Sequence, residues 1–356
     1  MSEPGAREPA VRAAFAEQAG SCANLGSPFT ARLCDLLAAR LDHSTAVAHR
    51  ILSWQGEPSG KNDALALRIA GALHALVLSG ENRALAACYP PAEVSDDALW
   101  EACSDAFRAD EAFLLARLVS PPQTNEVRRS GALLPGFLTI AGLFRKPLVL
   151  SEIGASAGLN LQWDRYAYRL GAAAWSTEDT DITIAPDWSG PEPEPAEIHI
   201  AGRAGCDLNP IDPADGEERL RLLSYIWADQ ADRIDRTRKS LALAAARPLP
   251  VERADAIEWL EGRLATAFPQ AVHVVYHSIV WQYLPADRRE AGTRLLEAAG
   301  ARATADAPLA HLQMEADERK DGAALLLQVW PGGRKEMIGR ADFHGRWVRW
   351  AGWPPA

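Results

Sequence analysis

The sequence has little cysteine and no two cysteines spaced as Cys-x-x-Cys; the five present (Cys22, Cys34, Cys88, Cys103 and Cys206) are odd in number and scattered. That argues against a zinc ribbon or a redox pair and fits reduced thiols in a cytoplasm. No apolar run approaches the roughly 20 residues of a membrane span, so no contact with a bilayer core is expected. Positive charge is also short: the formal net charge is −10. A nucleic-acid or acidic-membrane surface needs a basic field, so both are disfavoured as partners. The opening residues, Met1 to Glu8, are polar and acidic and do not read as a secretory signal. Internal repeats and long low-complexity tracts are missing. What remains is an ordinary soluble composition, 48% hydrophobic and 24% charged over 356 residues, long enough for two domains.

The most informative stretch is Pro147 to Asn160. An apolar run, Leu148–Ile153, carries the acid Glu152 near its end and leads into Gly154-Ala-Ser156-Ala-Gly158. This order predicts a buried parallel strand, a tight glycine turn, and a helix whose N-terminus faces whatever lies above the strand. Glycine at 154 and 158 lets the backbone approach a ligand closely. Glu152 argues against a pyrophosphate as that ligand and suits a cationic amine or ribose hydroxyls. Three later segments present polar residues in the same way. Asp207 follows an apolar stretch around 198–201, and Asp255-Ala256 follows another short one. The run from Val272 turns polar and aromatic at His277, Trp281 and Tyr283. Ligands of open α/β sheets sit outside such strand ends. Asp207 has a second reading, as the cap of a helix beginning near Asp212 or Pro213. It also lies farther from the glycine turn than the roughly 20 residues of a compact Rossmann unit, so an insertion of about 173–204 is expected before the second strand.

These motifs together resemble S-adenosylmethionine (SAM) methyltransferases, whose first motif is an acid followed by Gly-x-Gly-x-Gly; here Ser156 takes the middle position. The resemblance implies SAM as cofactor, with Glu152, Gly154, Ser156, Gly158 and Asn160 around the amino-acid part, Asp207 at the ribose, and Asp255 and Ala256 at the adenine. The pieces Gln123-Thr-Asn-Glu126 with Arg129, Glu152 to Asn160, Gly205 to Pro210, His277 to Tyr283, Trp330-Pro-Gly-Gly333 and His344 to Trp347 are also similar to a bacterial family of unknown function, number 2332. That second resemblance brings no activity with it.

The expected fold is α/β: an all-α N-terminal domain over 1–135, then a Rossmann-like methyltransferase sheet over 136–356, seven-stranded and mostly parallel with an antiparallel edge hairpin. Helices are expected over 11–19, 29–41, 63–78, 98–118 and 133–143. The closing strands, 323–330 and 341–350, flank Pro331-Gly-Gly.

Methyl transfer needs positioning and, for some acceptors, one general base. His277, with Tyr283, is the candidate catalytic pair, although His277 also reads as a packed histidine beneath Trp281. Gln123, Asn125, Glu126, Arg129 and Trp281 are candidates to line a small-molecule substrate pocket between the domains; helix capping by Thr124 or Asn125, with Arg129 paired to an acid, is an equal reading of the 123–129 segment. His311 and Glu315 fall on one strand face about 13 Å apart, and without a third ligand no metal is assigned. Two alternatives stay open. Gly-Ala-Ser156-Ala-Gly fits a hydrolase nucleophile elbow, with Asp255 and His277 or His344 to complete a triad. A non-catalytic nucleoside-binding or interaction module would accommodate the serine in the glycine motif. Oligomeric state is left open.

Overall fold

Short polar residues write the helix starts. Ser27 accepts the Thr30 N–H at 3.3 Å just before Pro28, and Ser95 accepts the Ala98 N–H ahead of Asp96 and Asp97. In the computed structural model, which describes residues 7–355, the helices along the first third of the chain are α1 (Glu8–Asn24), α2 (Pro28–Arg40), α3 (Ala46–Leu52), α4 (Leu65–Ser79), α5 (Arg83–Ala86), α6 (Asp96–Ala109) and α7 (Glu111–Leu118). Next come α8 (Arg129–Phe144), β1 (Leu148–Ile153), a short 3₁₀ helix (Asn160–Arg165), β2 (Ala167–Leu170), β3 (Ala173–Trp175), β4 (Thr183–Ile184), β5 (Asp187–Ser189), β6 (Ile200–Asp207), α9 (Gly216–Ser224) and α10 (Ala231–Ala246). The last third holds β7 (Val251–Arg253), α11 (Ala256–Leu264), β8 (Val272–Ser278), α12 (Ala286–Arg302), β9 (Leu309–Ala316), β10 (Ala323–Trp330), β11 (Arg334–Ala341) and β12 (Trp347–Trp350).

The chain divides into two units. The first holds the residues up to Thr124 together with Asp215–Arg238; the second holds Asn125–Ala214 and the residues from Lys239 onward. The boundary expected at 135/136 therefore differs from this division, because α8 groups with the sheet and α9 groups with the helices.

In the first unit α4 is the central helix. Leu65, Ile69, Leu73 and Leu76 are completely buried, each contributing about 1.5–3 kcal/mol of apolar burial. The α4 residue Arg68 reaches the carbonyls of Leu118 and Val119, which are spare acceptors at the end of α7. His74, also on α4, is held neutral: burial pushes its pKa down to about 4. The run expected as one helix over 98–118 is two, α6 and α7, separated at Asp110.

The second unit carries a nine-stranded sheet in the order β5-β12-β11-β10-β9-β8-β1-β6-β7. Strands β7, β6, β1, β8 and β9 are parallel; β10, β11 and β12 continue as an antiparallel meander. All six residues of β1 are buried, as a central parallel strand covered on both faces requires. Helix α8 covers one face. Gly136 makes this approach possible, since a Cβ there would meet Leu312 at 2.5 Å. On the same face Phe137 stacks on Trp163 at 4.2 Å and meets the edge of Tyr276 at 5.1 Å. Helices α11 and α12 cover the other face, burying Ile153, Val275, Trp259, Leu260 and Leu296 in one cluster.

Three expectations need correction. The sheet has nine strands, because Arg334–Ala341 forms the unexpected strand β11, the run 341–350 keeps only Trp347–Trp350 as β12, and β5 adds beside β12. Pro331-Gly-Gly links β10 to β11. The glycine turn does not lead into an α-helix: a 3₁₀ helix follows, then the small sheet β3-β2-β4, so the turn does not open the aligned helix dipole expected there.

Candidate functional site

The parallel register sets the faces. Glu152 pairs with Tyr276 and Ile153 with His277. Side chains alternate along a strand, so Glu152 and Tyr276 face α8, while Ile153 and His277 face α11 and α12.

Above β1 the glycine turn is satisfied by the protein itself. The N–H groups of Gly154 and Ala155 both donate to the Cys206 carbonyl at 2.9 Å, and that of Gly158 donates to Ala155 O at 2.7 Å. Ser156 N–H donates to Asp207 Oδ2 at 2.9 Å. Ala157 and Leu159 both donate to Asn125 Oδ1 at 3.1 Å. Every N–H from 154 to 159 therefore has an acceptor, and the turn does not hold out a row of donors as a phosphate cradle does. Gly154, at φ +71°, could not carry a side chain here: a Cβ would lie 2.6 Å from Val280, on the loop after β8. The two segments flanking this point both hold non-glycine residues at positive φ, Ser156 at +53° and the β-branched Ile279 at +54°. Such conformations cost on the order of 1–3 kcal/mol and persist where the surroundings impose them.

Asn125 is thus a clamp on the turn, 8% exposed, and neither it nor Thr124 caps α8, whose N-cap is Arg128. Glu126 is buried; its Oε1 accepts from Arg128 N–H, and its carbonyl accepts from Asn160 Nδ2 at 3.1 Å. Arg129 donates to the carbonyls of Phe343 and Ser278, tying the β11–β12 loop to the end of β8. Gln123 falls in the first unit and is half-buried.

Glu152 is sealed inside at 2% exposure, and burial pushes its carboxyl well above the usual range. The Tyr276 hydroxyl lies 3.3 Å from its Oε2 and 3.2 Å from the Asn160 carbonyl. It is not presented at the strand end, where a bound amine would need it. Asp207 does not cap the following helix, because Asp215 does. Its Oδ1 accepts from Asn209 N–H at 2.8 Å, and the residue stays half-exposed. Asp255 N-caps α11: Oδ1 accepts from Ile257 and Glu258 and is engaged by Arg288. Ala256 is the first residue of α11.

His277 lies on the opposite face from Glu152 and is completely buried. Its Nδ1 lies 2.7 Å from Glu315 Oε1, and its Nε2 lies 3.0 Å from His311 Nε2. The ring stacks under Trp281 at 4.7 Å. Glu315 Oε1 also accepts the N–H groups of Val280 and Trp281, so this cluster anchors the loop that covers Gly154. Burial alone would raise the Glu315 carboxyl; the bonds from His277, Val280 and Trp281 outweigh it and hold it below the usual range. Burial drives His311 well below its ordinary value. His277 and Asn125 therefore do not line one pocket: one is locked beneath Trp281 on the α12 side, the other bonds the turn over β1. Tyr283 is 74% exposed. Ser156 is 3% exposed, which does not suit an exposed nucleophile.

The structure thus brings together the glycine turn, Asp207, Asn125 and Asn160, and it seals His277 away from them on the other face. Sequence reading passed over Tyr276 and Val280. It noted His311 and Glu315 but not their partner, because the contact crosses from β9 to β8 and depends on register. Among the described residues no group of three or more His, Cys, Asp or Glu is arranged to hold a metal ion, and no helix is long and apolar enough to cross a membrane.

No curated protein and no solved structure matches the chain. A bacterial family described as "uncharacterized protein conserved in bacteria (DUF2332)" matches residues 12–350, which takes in the helical unit, the glycine turn and the whole sheet. The chain belongs to this DUF2332 family.

Proposed function

We propose that the second unit binds SAM at the carboxyl ends of β1, β6, β7 and β8 and transfers its methyl group to a small-molecule acceptor. The observation that carries this reading is the strand order. Counted along the chain, the parallel strands β7-β6-β1-β8-β9 stand as 3-2-1-4-5, so connections leave β1 and β8 in opposite directions. A crevice opens at such a switch point, and nucleotide cofactors of doubly wound sheets lie there. Two acids stand where a nucleoside would meet them. Asp207 is half-exposed, and each of its oxygens takes one backbone donor, leaving lone pairs for a ribose diol. Asp255 concentrates its bonds on Oδ1, leaving Oδ2 for an exocyclic amine. The saturated turn offers no donors to a phosphate, and the reading rests on contacts to the nucleoside.

SAM carries its own leaving group. The chain's part is to bind and orient, which can supply much of the rate. His277 is too deeply sealed to act as base, so the reading no longer gives it that role. A second reading, nucleoside binding without turnover, is favoured by this burial and by Val280 packed over Gly154. Isothermal titration of the full chain with SAM and its demethylated product tests the binding claim common to both. Asp207→Asn, which removes the charge and keeps one carbonyl acceptor, should weaken binding about tenfold or more. Unchanged affinity in a folded variant removes Asp207 from the site.

A further inference from the structure

At the amino-terminal end of the parallel strands, away from the switch point, a second polar device lies beneath α12. Ser151 on β1 is completely buried, and His273 on β8 is 5% exposed. Ser151 Oγ lies 2.9 Å from His273 Nε2 and receives the Nε–H of Arg263 at 3.0 Å. The hydroxyl has one proton. Arg263 can only donate, so that proton is directed to His273 Nε2, and the neutral ring carries its own proton on Nδ1. Burial, with the charge of Arg263 second, pushes the His273 pKa down to about 3, so the neutral ring persists at physiological pH. Nδ1 makes no hydrogen bond to any described residue.

His273 lines a cavity of about 110 Å³. Leu264, Ala299, Ala303 and Leu309 give it apolar walls, and Arg302 stands at its edge. Among the described residues Arg302 donates only to the carbonyls of Ala298 and Leu264, and Arg263 lies over the rings of Trp259 and Phe268. Neither guanidinium is within ion-pair distance of a carboxylate among the described residues. The nearby acid, Asp306, is occupied by Lys146 and Gln270. The chain is acidic overall, yet His273 and the exposed guanidinium of Arg302 line this cavity together, and neither meets a carboxylate among the described residues.

We propose that this cavity is a binding site for a short aliphatic monocarboxylate, its carboxylate held by His273 Nδ1–H and Arg302 and its alkyl end against Leu264, Ala299, Ala303 and Leu309. The volume equals that of about four liquid waters, which suits a carboxylate with a short tail. Inorganic phosphate fits worse, because it carries no alkyl end to set against Leu264, Ala299, Ala303 and Leu309. The site is independent of SAM binding.

The test uses the full chain with ¹⁵N-labelled histidine, titrated with sodium propionate at constant ionic strength, with sodium phosphate and sodium chloride in parallel. A saturable shift of the His273 ring nitrogens with propionate, at a millimolar dissociation constant, is expected, and phosphate and chloride should leave the ring unmoved. Arg302→Ala should weaken propionate binding about tenfold or more. His273→Gln can offer Ser151 its amide oxygen at the Nε2 position and has no N–H at the Nδ1 position; it should bind propionate no better than Arg302→Ala while unfolding at nearly the wild-type temperature. Binding of propionate followed through Phe268 ring resonances makes the second variant readable. No saturable response to propionate overturns the proposal, as do variants that bind like wild type. An equal response to phosphate overturns the choice of a carboxylate.

Discussion

Asn125→Ala should loosen the glycine turn far more than a surface substitution can. The wild-type Oδ1 takes two buried N–H groups, those of Ala157 and Leu159, each at 3.1 Å. An unsatisfied buried donor costs about 1–3 kcal/mol, and the two share one acceptor, so they do not add fully; the loss should come to about 2–4 kcal/mol. The same figure expressed as amide exchange is an acceleration of about 30- to 700-fold, at a factor of ten per 1.4 kcal/mol. Hydrogen exchange read by mass spectrometry on peptides covering 154–160 measures it directly, and peptides of α4, in the other unit, serve as the control. Asn125→Asp puts a carboxylate oxygen where the amide oxygen stood and should restore most of the protection. If Asn125→Ala leaves exchange at 157 and 159 unchanged, the turn is not held as described and its donors are open to a ligand after all.

Gly154→Ala places a methyl group 2.6 Å from Val280 at a backbone φ of +71°, and a thermal or urea unfolding measurement should register a loss of about 1–3 kcal/mol or more. His273 and His311, with folded pKa values pushed down by burial from 6.5, take up protons in the unfolded chain before they do so in the folded one. Their stabilisation is full above pH 6.5 and is lost as the pH falls toward the folded values, at about 1.4 kcal/mol per pH unit for each histidine. Urea unfolding between pH 7.5 and pH 5 should show that slope, and replacing either histidine should reduce it. A fluorophosphonate probe should leave Ser156 unmodified in the folded chain, since the residue is 3% exposed; labelling lost in Ser156→Ala would reinstate the hydrolase reading.

The parts of this architecture that are local in the chain were legible in its residues. The apolar run Leu148–Ile153 is a strand buried on both faces, Ser27 and Ser95 cap helices, and the acids at 207 and 255 stand at or just after strand ends. What failed depended on distant partners. The three-residue strand β5 exists because β12, more than 150 positions away, offers it an edge. The segment after the glycine turn is 3₁₀ rather than α-helical where Phe137 stacks on Trp163 and Asn125 takes two of the turn's N–H groups. His277 stands on the expected strand end, but the i,i+4 pair on β9, His311 and Glu315, closes over it once β8 and β9 pair. Register, which no single segment encodes, decided between a presented base and a packed histidine.

The central claim, a nucleoside cofactor at the switch point between β1 and β8, is tested most directly by isothermal titration of the full chain with SAM and with its demethylated product. The account predicts saturable binding of both at one site per chain, weakened about tenfold or more by Asp207→Asn. The absence of binding by either ligand to the folded chain would contradict it.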